Sequence, residues 1–377
     1  MKTLVQKKHG WGFALLAVGA LLLTGCTTDA PAATEGGGSA AEVSEDVLTE
    51  LATGTQTVPD IAPIEMKEGA NVWIIPCSLQ AEGCATLAKG SEEAAEVAGW
   101  DVTVFDGQVN PATYSEGIRS AVADGADGII LAAVDCAPVK AALEQASDAG
   151  IPVITNFALD CDDPSVGGEP LFSSTIIDWN DFLFEWSSER ARYLSALIGG
   201  EGDVIALVEP DFAAGVIVND GFEAGMKKYC PDCNIVQSVD ILGNELGNSA
   251  AAEKIASAVL GNPEAKAIFS PFDAVTMAMP QALTQFQDRD LVIVGGEGLP
   301  SSIELIRGGT VNGTLGLDSM WIGWASVDTL ARIMNGEEVP DQGLGWQLVD
   351  QKTNLGDSGP YVSSVDYRSA YKDAWGK

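Results

Sequence analysis

Ala126–Phe157, ADGIILAAVDCAPVKAALEQASDAGIPVITNF, holds one complete strand–helix–strand unit. Gly128–Val134 is a continuous apolar run, short enough for a strand and without the alternation of a half-solvated one. Pro138–Ala149 carries Ala, Val and Leu at helical spacing, with Lys140, Glu144 and Asp148 between them, and Gly150 stops it. Pro152–Phe157 is a second buried strand. Two adjacent buried strands joined by a helix of this length are parallel, because the helix has to carry the chain back across a sheet face.

The same unit extends in both directions. Val72–Pro76 and Asp101–Phe105 read as strands, with helices over Glu82–Ala98 and Ala112–Ala123. Downstream, strands at Val204–Val208, Ile235–Val239, Ala267–Ser270 and Leu291–Val294 alternate with helices over Val216–Tyr229, Ser249–Leu260 and Ala274–Phe286. A Ser173–Ile177 strand and a Phe182–Ile198 helix mark the passage between the two series. The fold class is therefore α/β, with two doubly wound parallel-sheet lobes. Ligands of such sheets bind outside the carboxyl ends of the strands, so two facing lobes place the site between those edges.

The N-terminus reads as an export signal. Lys2, Lys7 and Lys8 precede an apolar run from Trp11 to Leu23, and Leu23-Thr24-Gly25-Cys26 follows the pattern of a lipoprotein cleavage site. About a dozen apolar residues are too few to span a bilayer as a stable helix. The expected processing removes residues 1–25 and leaves a diacylglyceryl anchor on Cys26, at the outer face of the cell membrane. Residues 26–68, rich in Ala, Thr, Gly, Ser and Glu, are expected to form a flexible tether, with at most a transient helix around Val43–Leu51.

Charge and histidine content exclude whole classes of function. The chain has 54 acidic and 20 basic residues, a net −34, and loss of the three signal lysines makes it more negative still. Nucleic acid is a poor partner for that surface. The only histidine, His9, leaves with the signal. His-dependent nucleophilic catalysis and His-ligated zinc are thereby removed in their usual forms. No phosphate-binding GxxxxGK[ST] occurs, and Gly295-Gly296-Glu297-Gly298 lacks dinucleotide-fingerprint spacing. No enzyme activity, cofactor or metal is expected. Apart from Cys26, six cysteines fall as neighbours: Cys77 and Cys84, Cys136 and Cys161, Cys230 and Cys233. Six cysteines allow fifteen connectivities, and the alternating architecture favours these three.

Several stretches then resemble one family. They are Phe105-Asp106-Gly107-Gln108-Val109-Asn110-Pro111, Ala126–Leu131, Gly150-Ile151-Pro152-Val153-Ile154-Thr155, Ile293–Gly298, Ile306-Arg307-Gly308-Gly309-Thr310 and Asn335-Gly336-Glu337-Glu338-Val339-Pro340. Their order resembles that of the sugar-binding type I periplasmic proteins of ABC importers, the ribose-binding-protein-like family. The resemblance implies a hinge of three crossings, near Ser174–Asp178, Leu317–Asp318 and Trp346. The lobes then comprise residues 69–175 plus 318–345 and residues 176–317 plus 346–377. It also implies a monomer that hands its solute to an ABC permease and its ATPase.

The family's ligand residues do not carry over. Ala81, Gly83 and Cys84 stand where an Asn and two aromatics are usual, Phe157 and Ala158 replace an Asp-Arg pair, and Val218 or Asn219 replaces a clamping Arg. Phe272 replaces an Asn, Glu297 an Asp, and Leu317 a Gln. The strand-end candidates in this chain are Ser78, Gln80, Asp135, Asn156, Phe157, Trp179, Phe212, Phe272, Asp273, Glu297, Asp318 and Trp321. Lys89, Arg119, Lys140, Lys227, Lys228, Lys254, Lys266, Arg307 and Arg332 fall on helices or at their far ends, and no basic residue directly follows a strand. An anion buried there lacks a counter-charge. A neutral sugar or polyol is the expected solute, held by aromatic faces and by carboxylates and amides that accept hydroxyl hydrogens. The alternative is a ligand-sensing receptor for a cationic or aromatic heterocyclic, nucleoside-like solute.

Overall fold

The computed structural model describes residues 40–164 and 166–377. Residues 1–25, read as the signal, and Cys26, read as the lipid anchor, lie outside them. Helix α1 (Ala40–Thr53) comes first. The first sheet contains β1 (Asn71–Pro76), β2 (Asp101–Val104), β3 (Gly128–Ala132), β4 (Val153–Asn156) and β5 (Ser174–Thr175), in the order β2-β1-β3-β4-β5. All of its pairings are parallel. Helices α2 (Glu82–Ala98), α3 (Pro111–Asp124) and α4 (Cys136–Asp148) connect its strands.

The alternation of side chains along each strand divides the core. Ile129 and Leu131 of β3 pack among Ile118 of α3 and Val139 and Leu143 of α4, while Ile130 and Ala132 join the cluster that holds Leu87 of α2. Both faces of β3 are buried throughout. That is why its sequence reads as an unbroken apolar run.

After α5 (Trp179–Ile198) the second sheet is built from β6 (Glu201–Val208), β7 (Asp232–Asp240), β8 (Ala265–Phe269), β9 (Val292–Val294), β10 (Gly313–Gly316) and β11 (Gln347–Asp350). Its order is β11-β10-β9-β8-β6-β7, parallel except for the β10–β11 pair. The connections include α6 (Ala213–Tyr229) and α7 (Ser249–Gly261). The expected single helix over Ala274–Phe286 is instead two short ones, α8 (Asp273–Thr276) and α9 (Met279–Ala282). Pro280 lacks the N–H that a continuous helix needs there. Helix α10 (Pro300–Arg307) precedes β10; α11 (Ser319–Asn335) and α12 (Tyr367–Trp375) complete the chain.

Crossings between the lobes lie at residues 176–178, 317–318 and 344–346. Asp178 caps α5 by accepting from Asn180 and Asp181 N–H, and Asp318 caps α11 by accepting from Trp321 N–H. Each cap starts a helix within a residue of its crossing, which fixes where the hinge ends.

Two segments depart from the expected boundaries. The stretch expected to be a tether is folded from Ala40 onward. Leu51 is buried, Glu50 pairs with Arg192 of α5 at 2.5 Å, and Thr53 C=O accepts from Gln347 Nε2 of β11 at 3.1 Å. A 14-residue helix is marginal alone in water and takes its stability from such docking, which composition does not reveal. Residues 54–66 then pass from the second lobe to the first, with Thr55 N–H donating to Trp346 C=O and Thr57 N–H to Gly343 C=O. The C-terminus, expected within the second lobe, returns to the first. Trp375 stacks on Trp324 of α11 at 5.5 Å and donates its indole N–H to Asp328, and Ile64 N–H donates to Ala374 C=O. The apolar positions Tyr367, Tyr371, Ala374 and Trp375 form one helical stripe, and α11 offers the surface that buries it. Five strands of chain, not three, thus join the lobes.

The close packing of this strap is visible at Gly343, which has φ 71° and whose added Cβ would lie 2.2 Å from Thr57 C=O. Gly343→Ala is expected to cost about 1–3 kcal/mol and to lower the unfolding midpoint. Removal of residues 40–58 should lower it further. An unchanged midpoint for that truncation would show that the strap adds no stability.

Candidate functional site

The carboxyl ends of both sheets form the two edges of the interlobe cleft. On the first lobe, the loop after β1 is held by Asp106, whose carboxylate accepts from Leu79 N–H at 2.9 Å and Gln108 N–H at 3.1 Å. Ser78 Oγ accepts from Gln80 N–H at 3.0 Å and leaves the Gln80 side chain exposed. The sulfurs of Cys77 and Cys84 are bonded, which ties this loop to the start of α2. The other bonded pairs are Cys136–Cys161, joining α4 to the loop after β4, and Cys230–Cys233.

Backbone strain collects at this edge. Gln108, Val109, Ala133 and Phe157 are non-glycine residues with φ between 49° and 55°, and they follow β2, β3 and β4. L-residues adopt that region at a cost, and its clustering at strand ends is typical of binding sites. At Phe157 it turns the ring to stack on Trp179, with centroids 4.4 Å apart. Trp179 meets Phe182 edge to face, and Phe182 meets Trp346, so an aromatic row runs along the hinge.

On the second lobe the edge is acidic. Asp273 is buried and accepts from Gly296, Gly298 and Leu299 N–H at 3.1, 2.7 and 2.7 Å. Its own N–H donates to Glu297 Oε2 at 2.7 Å. Burial, and then the neighbouring Asp273, push the Glu297 carboxyl up to about 8. Half-buried Phe212 and Phe272 stand at the starts of α6 and α8. The lobes meet where Ser301 Oγ donates to Glu82 and where Gly83 faces Leu299.

The structure divides the candidates into two groups. Gln80, Asp135, Phe157, Phe212, Phe272 and Glu297 keep partial or full exposure at the edges. Asp135, raised by burial, accepts from Leu159 N–H at 2.9 Å. Ser78 and Asp273 hold backbone in place beneath them. Asp318 does the same, accepting from Ser363 N–H at 2.9 Å. Asn156 and Trp321 belong to the first lobe's interior, not the cleft surface: Asn156 Nδ2 donates to Ser326 of α11, and Trp321 stacks on Tyr367 and donates to Tyr371. Trp179, only 3% exposed, packs in the hinge row.

Two residues escaped the sequence reading. Glu209 directly follows β6 and is 3% exposed; its Oε2 has no hydrogen-bond partner among the described residues, and burial pushes the carboxyl up to about 8. Its place after a buried strand was a usable signal. Arg190 was not, because it sits mid-helix in α5 and reaches the ends of β8 and β9 only through the fold: its Nη1 donates to Ser270, Pro271 and Gly295 C=O. A cation therefore does lie beneath the strand ends. Among the described residues, the cluster with metal-ligating side chains, Cys136, Asp160 and Cys161, offers no thiolate because its cysteines are bonded to each other. A cavity of about 900 Å³ lies beside the hinge, lined by Asp160, Ile177, Trp179 and Pro340 and by no residue following β6, β8 or β9.

Comparison with known proteins agrees with this geometry. Residues 72–338 match the family described as periplasmic binding protein domain. The ribose import binding protein of Escherichia coli is 22% identical over 260 residues, covering 67% of this chain and 81% of the relative. That of Bacillus subtilis is 20% identical over 258 residues, covering 67% and 78%. Among solved structures, an Agrobacterium vitis solute-binding protein bound with α-D-tagatopyranose superposes with a TM-score of 0.67 at 21% identity, covering 78% of this chain and all of that one. An Actinobacillus succinogenes protein with bound D-allose gives 0.65 at 22%, covering 76% and 98%.

The buried carboxyls make stability pH-dependent. A carboxyl held above its unfolded value contributes stability that is complete below the unfolded value and lost as pH rises through the folded one. For Glu209 and Glu297 that window runs from the ordinary Glu value of 4.5 to about 8. The unfolding midpoint is expected to fall across it, and Glu209→Gln should flatten the slope. Thermal unfolding between these limits checks it; a midpoint that rises with pH would contradict the assignment.

Proposed function

This chain belongs to the periplasmic binding protein domain family, and from that premise we propose that it captures a small neutral sugar or polyol in the interlobe cleft and delivers it to an ABC permease. The observation that carries the reading is the composition of the two edges. Carboxyls and an amide at Gln80, Asp135, Glu209 and Glu297 form hydrogen bonds with hydroxyl groups, Phe157, Phe212 and Phe272 offer apolar faces, and no Lys or Arg is among these residues. Similar solute-binding proteins have been solved with D-allose, α-D-tagatopyranose and allitol bound, which suits the same chemistry.

Capture follows from two edges that face each other. A solute that hydrogen-bonds both edges stabilises the closed arrangement by the difference in its affinity for closed and open forms, and a permease reads that arrangement. The protein performs no chemistry in this scheme. Export and anchoring through Cys26 belong to the same proposal. Among the described residues no helix is long and apolar enough to cross a membrane.

A panel of D-ribose, D-allose, allitol, an alkylamine, a nucleoside and a sugar phosphate, screened by thermal shift and followed by calorimetry, tests the proposal. A neutral sugar or polyol is expected to raise the midpoint, because it binds only the folded state, and its affinity should change little with salt. Phe272→Ala should weaken binding by about 1–3 kcal/mol while leaving the fold intact. Tight binding of the sugar phosphate with no comparable neutral ligand would overturn the charge argument; binding of the amine or nucleoside alone would favour the receptor reading.

A further inference from the structure

Arg190 is fully buried on α5, behind the second lobe's half of the cleft. Its guanidinium lies 3.6 Å from the centroid of the Trp186 ring and 4.7 Å from that of Phe269. One nitrogen, Nη1, serves three carbonyls: Ser270 at 3.2 Å, Pro271 at 2.9 Å and Gly295 at 3.0 Å. The first two lead directly into Phe272 and Asp273, and the third precedes Glu297 by two residues. Trp186 extends the same clamp, donating its indole N–H to Leu315 C=O of β10 at 2.7 Å and lying 6.1 Å from the Phe272 ring.

Stability does not account for this arrangement. Nε and Nη2 of Arg190 are buried without hydrogen-bond partners among the described residues. Burying a guanidinium that is only partly satisfied is costly, and an apolar side chain of similar volume in such a slot is often neutral or stabilising. The charge has a use on the other side of the strand ends. Asp273 and Glu297, joined through the Asp273 N–H, are both held in a desolvated place, and two neighbouring carboxyls there disfavour each other's ionisation. The groups that meet this segment from neighbouring elements are acidic or neutral: Glu82 at the start of α2, which accepts from Ser301 Oγ, and Tyr361, whose N–H donates to Gly298 C=O. Arg190 acts on both carboxyls from behind.

We propose that Arg190 is a positioning residue for solute recognition: it fixes the β8 and β9 ends that present Phe272 and Glu297, and it supplies a counter-charge that eases ionisation of the Asp273–Glu297 pair. The recognition half rests on the reading of the cleft as a sugar or polyol site. The counter-charge half does not.

Arg190→Met and Arg190→Lys separate the roles, with carboxyl-carbon NMR of the solute-free protein as the first readout. In Arg190→Met the Glu297 titration midpoint should rise by about one pH unit or more, while in Arg190→Lys it should stay near the wild-type value. The second readout is affinity for whichever neutral member of the panel binds wild type. Arg190→Met should lose about tenfold or more and Arg190→Lys a smaller factor, because an ammonium keeps the charge but lacks the planar group that stacks on Trp186 and sets the direction of the carbonyl contacts. Adding Glu297→Gln to Arg190→Met should recover part of the loss, since an amide needs no counter-charge. A Glu297 midpoint unmoved by Arg190→Met, or wild-type affinity in a variant that changes only thermal stability, would overturn the proposal. If no panel sugar or polyol binds wild type, the sugar reading fails and the titration still decides the counter-charge. If Arg190→Met does not fold, Arg190→Lys decides: wild-type affinity there overturns positioning, and a raised midpoint overturns the counter-charge.

Discussion

A parallel sheet buried on both faces constrains everything else in this molecule. Apart from the β4–β5 link, a helix returns the chain across the sheet between successive parallel strands, so every strand except antiparallel β11 leaves its sheet at the same edge. The turns that are free to carry function accumulate at the carboxyl edge. Two such sheets in one chain produce two such edges. The residues proposed for recognition, from Gln80 and Phe157 to Glu209, Phe272 and Glu297, all follow strand ends for this reason.

The joint between the sheets is more heavily built than three crossings require. Chain segments at residues 54–66 and 351–366 add two more, and the Gln56 side chain binds the outer ones together, accepting from Tyr361 OH and Ser363 Oγ and donating to Gly345 C=O. Hydrogen bonds that run between crossings are kept only if the crossings move together. Opening of the lobes therefore bends a bundle, not a set of independent threads, and the chain that leads back toward the N-terminus is part of that bundle.

Electrostatics sets the character of the cleft more than apolar packing does. Low dielectric raises the carboxyls of Glu209, Asp273, Glu297 and Asp318, and the backbone N–H groups around Asp273 and Asp318 offset part of that cost. Arg190 offsets another part from the far side of the sheet. An edge so arranged holds its carboxyls in fixed positions for hydrogen bonding.

What the sequence determined by itself was whatever depends on local periodicity and on the order of units. The run from Ala126 to Phe157 is enough to require parallel strands, its repetition requires two sheets, and the strand ends then name most of the cleft. The tertiary structure decided whatever depends on contacts between distant segments. Residues 40–68 have the composition of a spacer and become part of the hinge because α5 and β11 offer a surface to dock on. Trp321 and Asn156 sit at promising sequence positions but turn inward, since α11 and α12 bury the first and Ser326 engages the second. Arg190 lies eighty residues from Ser270, and nothing local distinguishes it from a surface arginine on a helix. Its role comes from where the fold delivers its side chain, because charge acts through space whereas sequence records only neighbours along the chain.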